Sequence, residues 1–258
     1  QDGLRTNTFF QMSRDTFLEM QQATADVPAG ITHVHFEVDD LTATLARLRQ
    51  AGLPPVPRNG RPTSAVSEAG FSQNIFVKNA NVYDRDGIRM ELNELTPESL
   101  MKKAADSWTA AQDATGLALN VVGIGVTDTP ASAMFYQNVV GFRVAFTFGS
   151  TDPQRTNFYY QTSRDAFVEM QPVGANATPG LTHFHLLTGD LDAAIARLRQ
   201  AGLQAAAGNA PGTMGQTVGV NPGAHVKNVN MYDPDGIRME LNEYIPESLP
   251  KAAVESWQ

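Results

Sequence analysis

The stretch Arg155-Thr-Asn-Phe-Tyr-Tyr-Gln-Thr-Ser-Arg-Asp-Ala-Phe-Val-Glu-Met-Gln171 is a near copy of Arg5-Thr-Asn-Thr-Phe-Phe-Gln-Met-Ser-Arg-Asp-Thr-Phe-Leu-Glu-Met-Gln21, displaced by 150 residues. Working outward, Thr182-His-Phe-His185 repeats Thr32-His-Val-His35 at the same offset. After one deletion, Tyr232-Asp-Pro-Asp-Gly-Ile-Arg-Met-Glu-Leu-Asn-Glu243 repeats Tyr83-Asp-Arg-Asp-Gly-Ile-Arg-Met-Glu-Leu-Asn-Glu94 at an offset of 149. Solenoid repeats run to roughly 20–50 residues, so so long a period makes each copy a domain with its own core. The expected division is 1–111 and 112–258. Residues Gly116 to about Gly149 have no counterpart in the first copy, which is therefore expected to lack its leading strand-helix-strand. With Gln1 rather than Met in first place, the chain reads as processed or trimmed.

The second copy displays the whole unit. Apolar alternation makes 115–127 a strand. Thr129-Pro130 reads as the cap and first residue of a helix that runs to Val139 and stops at Gly141. Val144–Phe148, Asn157–Thr162 and Ala166–Gln171 follow as short strands. The next module opens with a strand over Thr182–Leu187, continues in a helix capped by Asp190 and closed by Gly202, and passes through a Gly/Pro-rich loop, 208–223. It closes in a hairpin around Asp233-Pro-Asp-Gly236. The pattern is two βαβββ modules, 116–173 and 178–245, in an α+β fold. The segment Pro97–Trp108, capped by Thr96, reads as a helix tying the two domains together.

Composition narrows the function. The 258 residues carry 19 Lys and Arg against 27 Asp and Glu, net −8, with no basic cluster to meet a phosphate backbone, which argues against nucleic acid as partner. No apolar run approaches the roughly 20 residues a membrane-crossing helix needs. The absence of cysteine excludes disulfides, thiolate metal sites and a Cys nucleophile, and leaves the compartment, cytoplasmic or exported, open. Gly123-Ile-Gly125 lacks the third glycine of a dinucleotide loop, and no nucleophile elbow or phosphate-binding loop occurs.

Paired βαβββ modules, the opening Gly-Leu-Thr-His-Phe-His185, and the closing Tyr-Asp-Pro-Asp-Gly-Ile-Arg-Met-Glu-Leu241 together resemble the vicinal oxygen chelate superfamily of glyoxalases, bleomycin-resistance proteins and extradiol dioxygenases. The resemblance implies a half-barrel around a divalent ion held by the first and last strands of each module. Carried over by position, it implies Glu169, His183 and Glu240 as ligands in the second domain and Glu19, His33 and Glu91 in the first. Val121 stands where many members place a ligand His. One His with two Glu suits Fe, Mn, Ni or Zn, and departs from the two-His, one-carboxylate triad of ring-cleaving members. The implied activity is a metal-dependent lyase, isomerase or dioxygenase acting on a small oxygen-chelating molecule. The alternative is a metal-free protein that sequesters a small molecule, as the resistance proteins do.

The residues support a site independently of the resemblance. Strand alternation places His33 with His35, and His183 with His185, on one face, and gives Arg238, Glu240 and Asn242 a shared face as it does Arg89, Glu91 and Asn93. If these faces look outward, the residues are ordinary solvated positions. If they look inward, imidazole and carboxylate need pairing or a cation. His35 and His185 are then candidates for acid–base or ligand-orienting work. Lys78 and Lys227 with their neighbouring asparagines read best as solvated hairpin residues; a third reading is a structural module serving an assembly such as a homodimer, in which Trp108 and Trp257 would be interface anchors.

Overall fold

The computed structural model describes residues 7–25, 27–58, 60, 62–109 and 116–257. Its first part opens with a hairpin, β1 (Thr8–Gln11) and β2 (Phe17–Met20). Next come β3 (Val34–Glu37), α1 (Leu41–Gln50), the short β4 (Pro55–Val56), β5 (Ala65–Ser67) and β6 (Gly70–Ser72), and the hairpin β7 (Val77–Tyr83) and β8 (Arg89–Leu95). A short helix, α2 (Leu100–Asp106), ends this part. The second part begins with β9 (Ala118–Val126), α3 (Thr129–Met134) and β10 (Arg143–Gly149). It continues through β11 (Thr156–Gln161), β12 (Phe167–Pro172), β13 (Gly180–Leu187) and α4 (Leu191–Gln200). The chain then forms β14 (Gln204–Ala206), β15 (Thr213–Gly215), β16 (Gly219–Asn221), β17 (Val226–Tyr232), β18 (Arg238–Tyr244) and α5 (Leu249–Glu255). Mixed sheets with few helices make the fold α+β.

Local chemistry explains the boundaries. Asp40 and Asp190 start α1 and α4 by accepting the Ala43 and Ala193 N–H groups, each at 2.9 Å, and Gly202 leaves α4 at φ 100°, a conformation that favours glycine. Asp233 Oδ1 accepts from the N–H groups of Asp235 and Ile237, tying the turn between β17 and β18. Several sequence expectations shift. Asp128, not Thr129, caps α3, its side chain accepting from Ala131 N–H. The helix changes to a wider π-type winding over Phe135–Val140. The 208–223 stretch carries two short strands, β15 and β16, that pair with β17. Ser99 rather than Thr96 caps α2, and α2 buries no residue, so it is not the tie between the halves.

That tie is apolar packing. Leu41, Leu45 and Leu48 of α1 join Val82, Met90 and Leu92 in one cluster with Ile124, Val126, Tyr136, Tyr160 and Met170. The Arg47 guanidinium donates to the carbonyls of Val139 and Val140 at 2.8 and 2.9 Å, satisfying the end of the π-wound segment. A second cluster, around Phe184, Leu186, Leu191, Ile195 and Leu241, takes in Met12 and Leu18 of the first hairpin.

The second half forms a ten-stranded sheet in the order β10-β11-β12-β9-β13-β18-β17-β15-β14, with β16 also on β17. Strand β9 joins the two modules, parallel to β12 on one side and antiparallel to β13 on the other. The first half has a six-stranded sheet, β3-β8-β7-β5-β4 with β6 on β7, while β1 and β2 form a two-stranded sheet among the described residues. Among the described residues, no helix is long and apolar enough to cross a membrane.

Candidate metal centre

Register places the ligands. Glu169 of β12, Gly123 of β9 and His183 of β13 lie in one row across the sheet. In the adjoining row, Val121 is followed by His185 and Glu240. Neighbouring strands lie about 4.8 Å apart, so Glu169 and His183, two strands apart, can meet only by reaching over the residue between them. That residue is glycine, and a Cβ there would stand 2.2 Å from Cε1 and 2.3 Å from Nδ1 of His183, too close for any side chain. The register between β9 and β13 slips at Leu181/His183, a bulge that sets Thr182 and His183 against one partner. The slip explains how neighbouring residues come into contact: His183 Nδ1 lies 2.8 Å from Thr182 Oγ1.

The side chains converge tightly. Glu169 Oε2 is 3.3 Å from His183 Nε2 and 3.4 Å from His185 Nε2. The Glu240 oxygens stand 3.6 Å from His183 Nε2 and 3.7 Å from His185 Nε2. Burial is nearly complete, with side-chain exposures of 1% and 4% for the two histidines and 9% and 12% for Glu169 and Glu240. The first half repeats the arrangement. Glu19 Oε2 lies 3.5 Å from His33 Nε2 and 3.3 Å from His35 Nε2, with Glu91 Oε1 3.9 Å from His35 Nδ1. This copy is more open, His35 being 26% exposed.

A second ring of groups orients the first. Each leading histidine directs Nδ1 to its neighbouring threonine, His33 to Thr32 at 2.7 Å. His35 Nδ1–H donates to the Asn93 amide oxygen at 2.8 Å, and Asn242 holds the same station 2.8 Å from His185 Nδ1. Asn228 donates to Glu240 at 3.2 Å and Asn79 to Glu91 at 3.0 Å. With Nδ1 occupied, Nε2 is the atom left to face the carboxylates. The Nε2 atoms of His35, His183 and His185 are buried and have no hydrogen-bond partner.

Electrostatics agrees with the geometry. Burial works to raise the Glu169 carboxyl, but its contacts with His183 and His185 outweigh that and hold it well below the usual carboxylate range; Glu19 behaves alike beside His33 and His35. Burial pulls His183 and His33 below the ordinary imidazole value, partly countered by Glu169 and Glu19. Burial, then the charges of Glu169 and Glu240, push the Tyr159 hydroxyl far up, so this phenol, 3.3 Å from Glu169 Oε2, stays protonated.

Divalent first-row ions bind N and O ligands at about 2.0–2.2 Å, which sets ligand atoms of one coordination shell roughly 3.0–3.5 Å apart. The two Glu169–His separations, 3.3 and 3.4 Å, fall within that range, the three ligand atoms lie within 4.8 Å of one another, and the orphaned Nε2 atoms are those an ion would use. Both triplets, Glu19/His33/His35 and Glu169/His183/His185, could hold a metal ion. These triplets pair two His with one Glu, where the sequence expectation was one His with two Glu per site. His185 and His35, expected at acid–base posts, stand in the ring beside His183 and His33, while Glu240 and Glu91 lie slightly outside the tightest triplet. Val121 is 2% exposed and packs with Tyr159, Phe167 and Ala253, so β9 contributes no ligand. Asn79 and Asn228, read from sequence as solvated, position carboxylates instead. Lys227 does remain on the surface, paired with Asp192 and Glu243. The asparagines and threonines around the histidines carried one sequence signal, recurrence in both copies, which by itself does not distinguish a ligand support from an inherited surface residue.

Comparison with known proteins follows the same line. A model of the Glyoxalase/Bleomycin resistance protein/Dioxygenase superfamily matches residues 118–241. Among solved structures, a catechol 2,3-dioxygenase is similar at TM-score 0.62 and 15% identity, over 95% of this chain and 82% of that one. The 2,2',3-trihydroxybiphenyl 1,2-dioxygenase of Sphingomonas wittichii RW1 is similar at TM-score 0.57 and 18% identity, over 88% and 74%. The Mn(II)-bound glyoxalase of Novosphingobium aromaticivorans is similar at TM-score 0.58 and 14% identity, over 82% and 62%. A search of curated proteins returns no match. The βαβββ modules paired through β9 and β13 and the His-Glu rows crossing that junction lie within the stretch that the family model covers: residues 118–241 match the Glyoxalase/Bleomycin resistance protein/Dioxygenase superfamily.

Proposed function

We propose that the second half, residues 112–258, is a metal-dependent enzyme domain acting on a small molecule that presents two adjacent oxygens. The observation that carries this is the convergence of His183 Nε2 and His185 Nε2 on Glu169 Oε2, at 3.3 and 3.4 Å, with both imidazole atoms buried and without a hydrogen-bond partner. A divalent ion bound there supplies Lewis acidity for charge that develops on substrate oxygens. The chain's own residues do the rest. Glu169, His183 and His185 hold the ion. Glu240, kept in place by Asn228, is the carboxylate nearest this triplet and the candidate for moving a substrate proton. Tyr159, Phe167 and Val121, covered by Ala253 of α5, form an apolar wall that excludes bulk water. Two imidazoles and one carboxylate are also the donor set of ferrous oxygenases, which adds ring cleavage to isomerase and lyase chemistry as reactions to assay.

The decisive experiment is elemental analysis of the purified protein, followed by a screen of catechols and α-hydroxycarbonyl compounds. One ion per second-half site, lost in a His183→Ala/His185→Ala double variant together with turnover, is the expected result. A second reading, sequestration of a small molecule without metal, draws on the apolar cluster that Ala253 of α5 forms with Val121, Tyr159 and Phe167. Unchanged ligand binding with no metal in either form would favour it and sink the enzyme.

A further inference from the structure

We infer that Arg238 is a specificity-determining residue of the second-half site, and that the molecule taken there carries a carboxylate besides its two adjacent oxygens. For the two oxygens this rests on the metal-dependent reading above; for the carboxylate it stands on Arg238. Register comes first. Strand β18 runs parallel to β13, with Phe184 opposite Met239 and His185 opposite Glu240. One step back along the same pair, His183 and Arg238 are lateral neighbours, so Arg238 extends the row that holds Glu169, Gly123 and His183. Strand alternation puts it on the face of Glu240, two residues on. The contacts agree. Arg238 Nη1 lies 3.5 Å from Glu240 Oε1, and that same oxygen is 3.6 Å from His183 Nε2. One carboxylate oxygen thus stands between the guanidinium and the His183 imidazole.

The second observation is unused donor capacity. Charge-assisted N–H···O bonds run to about 2.7–2.9 Å, so the contact with Glu240 is a loose one. Among the described residues, the Arg238 guanidinium donates no hydrogen bond, and its side chain is 31% exposed, within reach of an entering molecule. Lys227, a cation on the same hairpin, is by contrast matched by Asp192 and Glu243. A guanidinium presents its N–H groups in a planar fork that fits a carboxylate.

The third observation is electrostatic. A fixed positive charge one oxygen away from imidazoles suited to a cation opposes metal uptake. It already adds to burial in drawing His183 below the ordinary imidazole value. With a divalent ion in place, Glu169, Glu240 and Arg238 leave the site one positive charge in excess. A substrate carboxylate neutralises that excess and turns the opposing charge into an anchor. Across the sheet from β18, on the far side of β9 and β13, Phe146 stacks on Tyr159 with centroids 4.6 Å apart. That wall suits an apolar or aromatic body between the two oxygens and the carboxylate.

The test uses a matched pair of probes, 3,4-dihydroxybenzoate and its methyl ester, titrated calorimetrically into the 258-residue protein, both as purified and supplemented with Zn(II). The acid should bind about tenfold or more tightly than the ester, as one charge-assisted contact gives. Arg238→Gln should remove that selectivity by weakening the acid alone, and Arg238→Lys, which keeps the charge without the fork, should retain part of it. In the unaltered protein, rising salt should weaken the acid and spare the ester, a readout that needs no variant. Equal affinities for the two probes, no binding of the acid, or selectivity that survives Arg238→Gln would overturn the assignment. So would a parallel loss of both probes in Arg238→Gln at an unchanged melting temperature, since Arg238 would then serve only to hold Glu240. The metal reading fails separately: affinities that ignore Zn(II) sink it, while the acid-to-ester ratio still decides the role of Arg238.

Discussion

At the residue scale the site depends on what is small as much as on what ligates. Gly123 is the one place on β9 where absence of a side chain lets Glu169 and His183 meet. Gly123→Ala is therefore expected to displace His183, destabilising the fold by about 1–3 kcal/mol as overpacking does and abolishing metal uptake; thermal denaturation and elemental analysis check both parts. Asn242 acts one layer out, and Asn242→Leu should leave the three ligands in place but weaken metal affinity roughly 10–100-fold, the usual cost of losing an outer-shell partner, as measured by competition with a chromophoric chelator. Proton competition adds a pH dependence. Burial depresses His183 in the fold, so the unfolded chain takes up this proton first as pH falls. The metal-free protein should accordingly lose stability as pH drops through the ordinary imidazole value, near 6.5, and regain it above; a reversed slope in urea titrations from pH 5 to 8 would show that His183 is held charged. Sequence showed these histidines and carboxylates plainly, because each sits in a recurring motif. It assigned ligation to His183 and acid–base work to His185, though the two share a face, and only the reach across β9 brings both Nε2 atoms beside Glu169.

At the scale of elements, capping and turn chemistry were legible residue by residue. The Asp40 and Asp190 caps and the Asp-x-Asp-Gly turns follow from short polar side chains that satisfy nearby backbone N–H groups. Paired with them is a turn aspartate that does more. Asp84 accepts from Asp86 and Ile88 N–H through one oxygen and from the Tyr136 hydroxyl through the other, joining β7–β8 to the helix that follows β9. Burial raises the Asp84 carboxyl despite the opposing hydrogen bonds from Ile88 and Tyr136. A raised folded value means that its contribution is fully present below the unfolded value, near 3.8, and diminishes as pH climbs through the folded one. Asp84→Asn, which keeps an acceptor and sheds the charge, should therefore gain stability relative to the parent between pH 4 and pH 7. Asp84→Ala should lose about 2–4 kcal/mol from unsatisfied buried groups. Melting curves of the three proteins across that range decide it. The π-wound end of the second-half helix was not legible, because the partner that satisfies its Val139 carbonyl, Arg47, lies 92 residues away in sequence.

At the scale of the whole molecule, the two halves share one interior. Phe36 and Phe142 meet with ring centroids 5.1 Å apart, and Tyr136 stacks on Phe142 at 5.9 Å, on the seam between the sheets. Phe142→Ala should cost about 3–5 kcal/mol and, because it opens the seam, should split a single unfolding transition into two in calorimetry; one undivided transition at lower temperature would mean that the halves are coupled elsewhere. The chain by itself determined the duplication, the βαβββ order, the strand faces and the residue types of the site, because these are set by local periodicity and turn chemistry over spans of a few residues. Tertiary structure alone decided that β9 stands between Glu169 and His183 with a glycine in the gap, that both histidines of each pair turn toward a carboxylate, and that the first half brings the same triplet together. Those are questions of register between strands far apart in sequence, and register is fixed by packing of whole faces against one another rather than by any segment read alone.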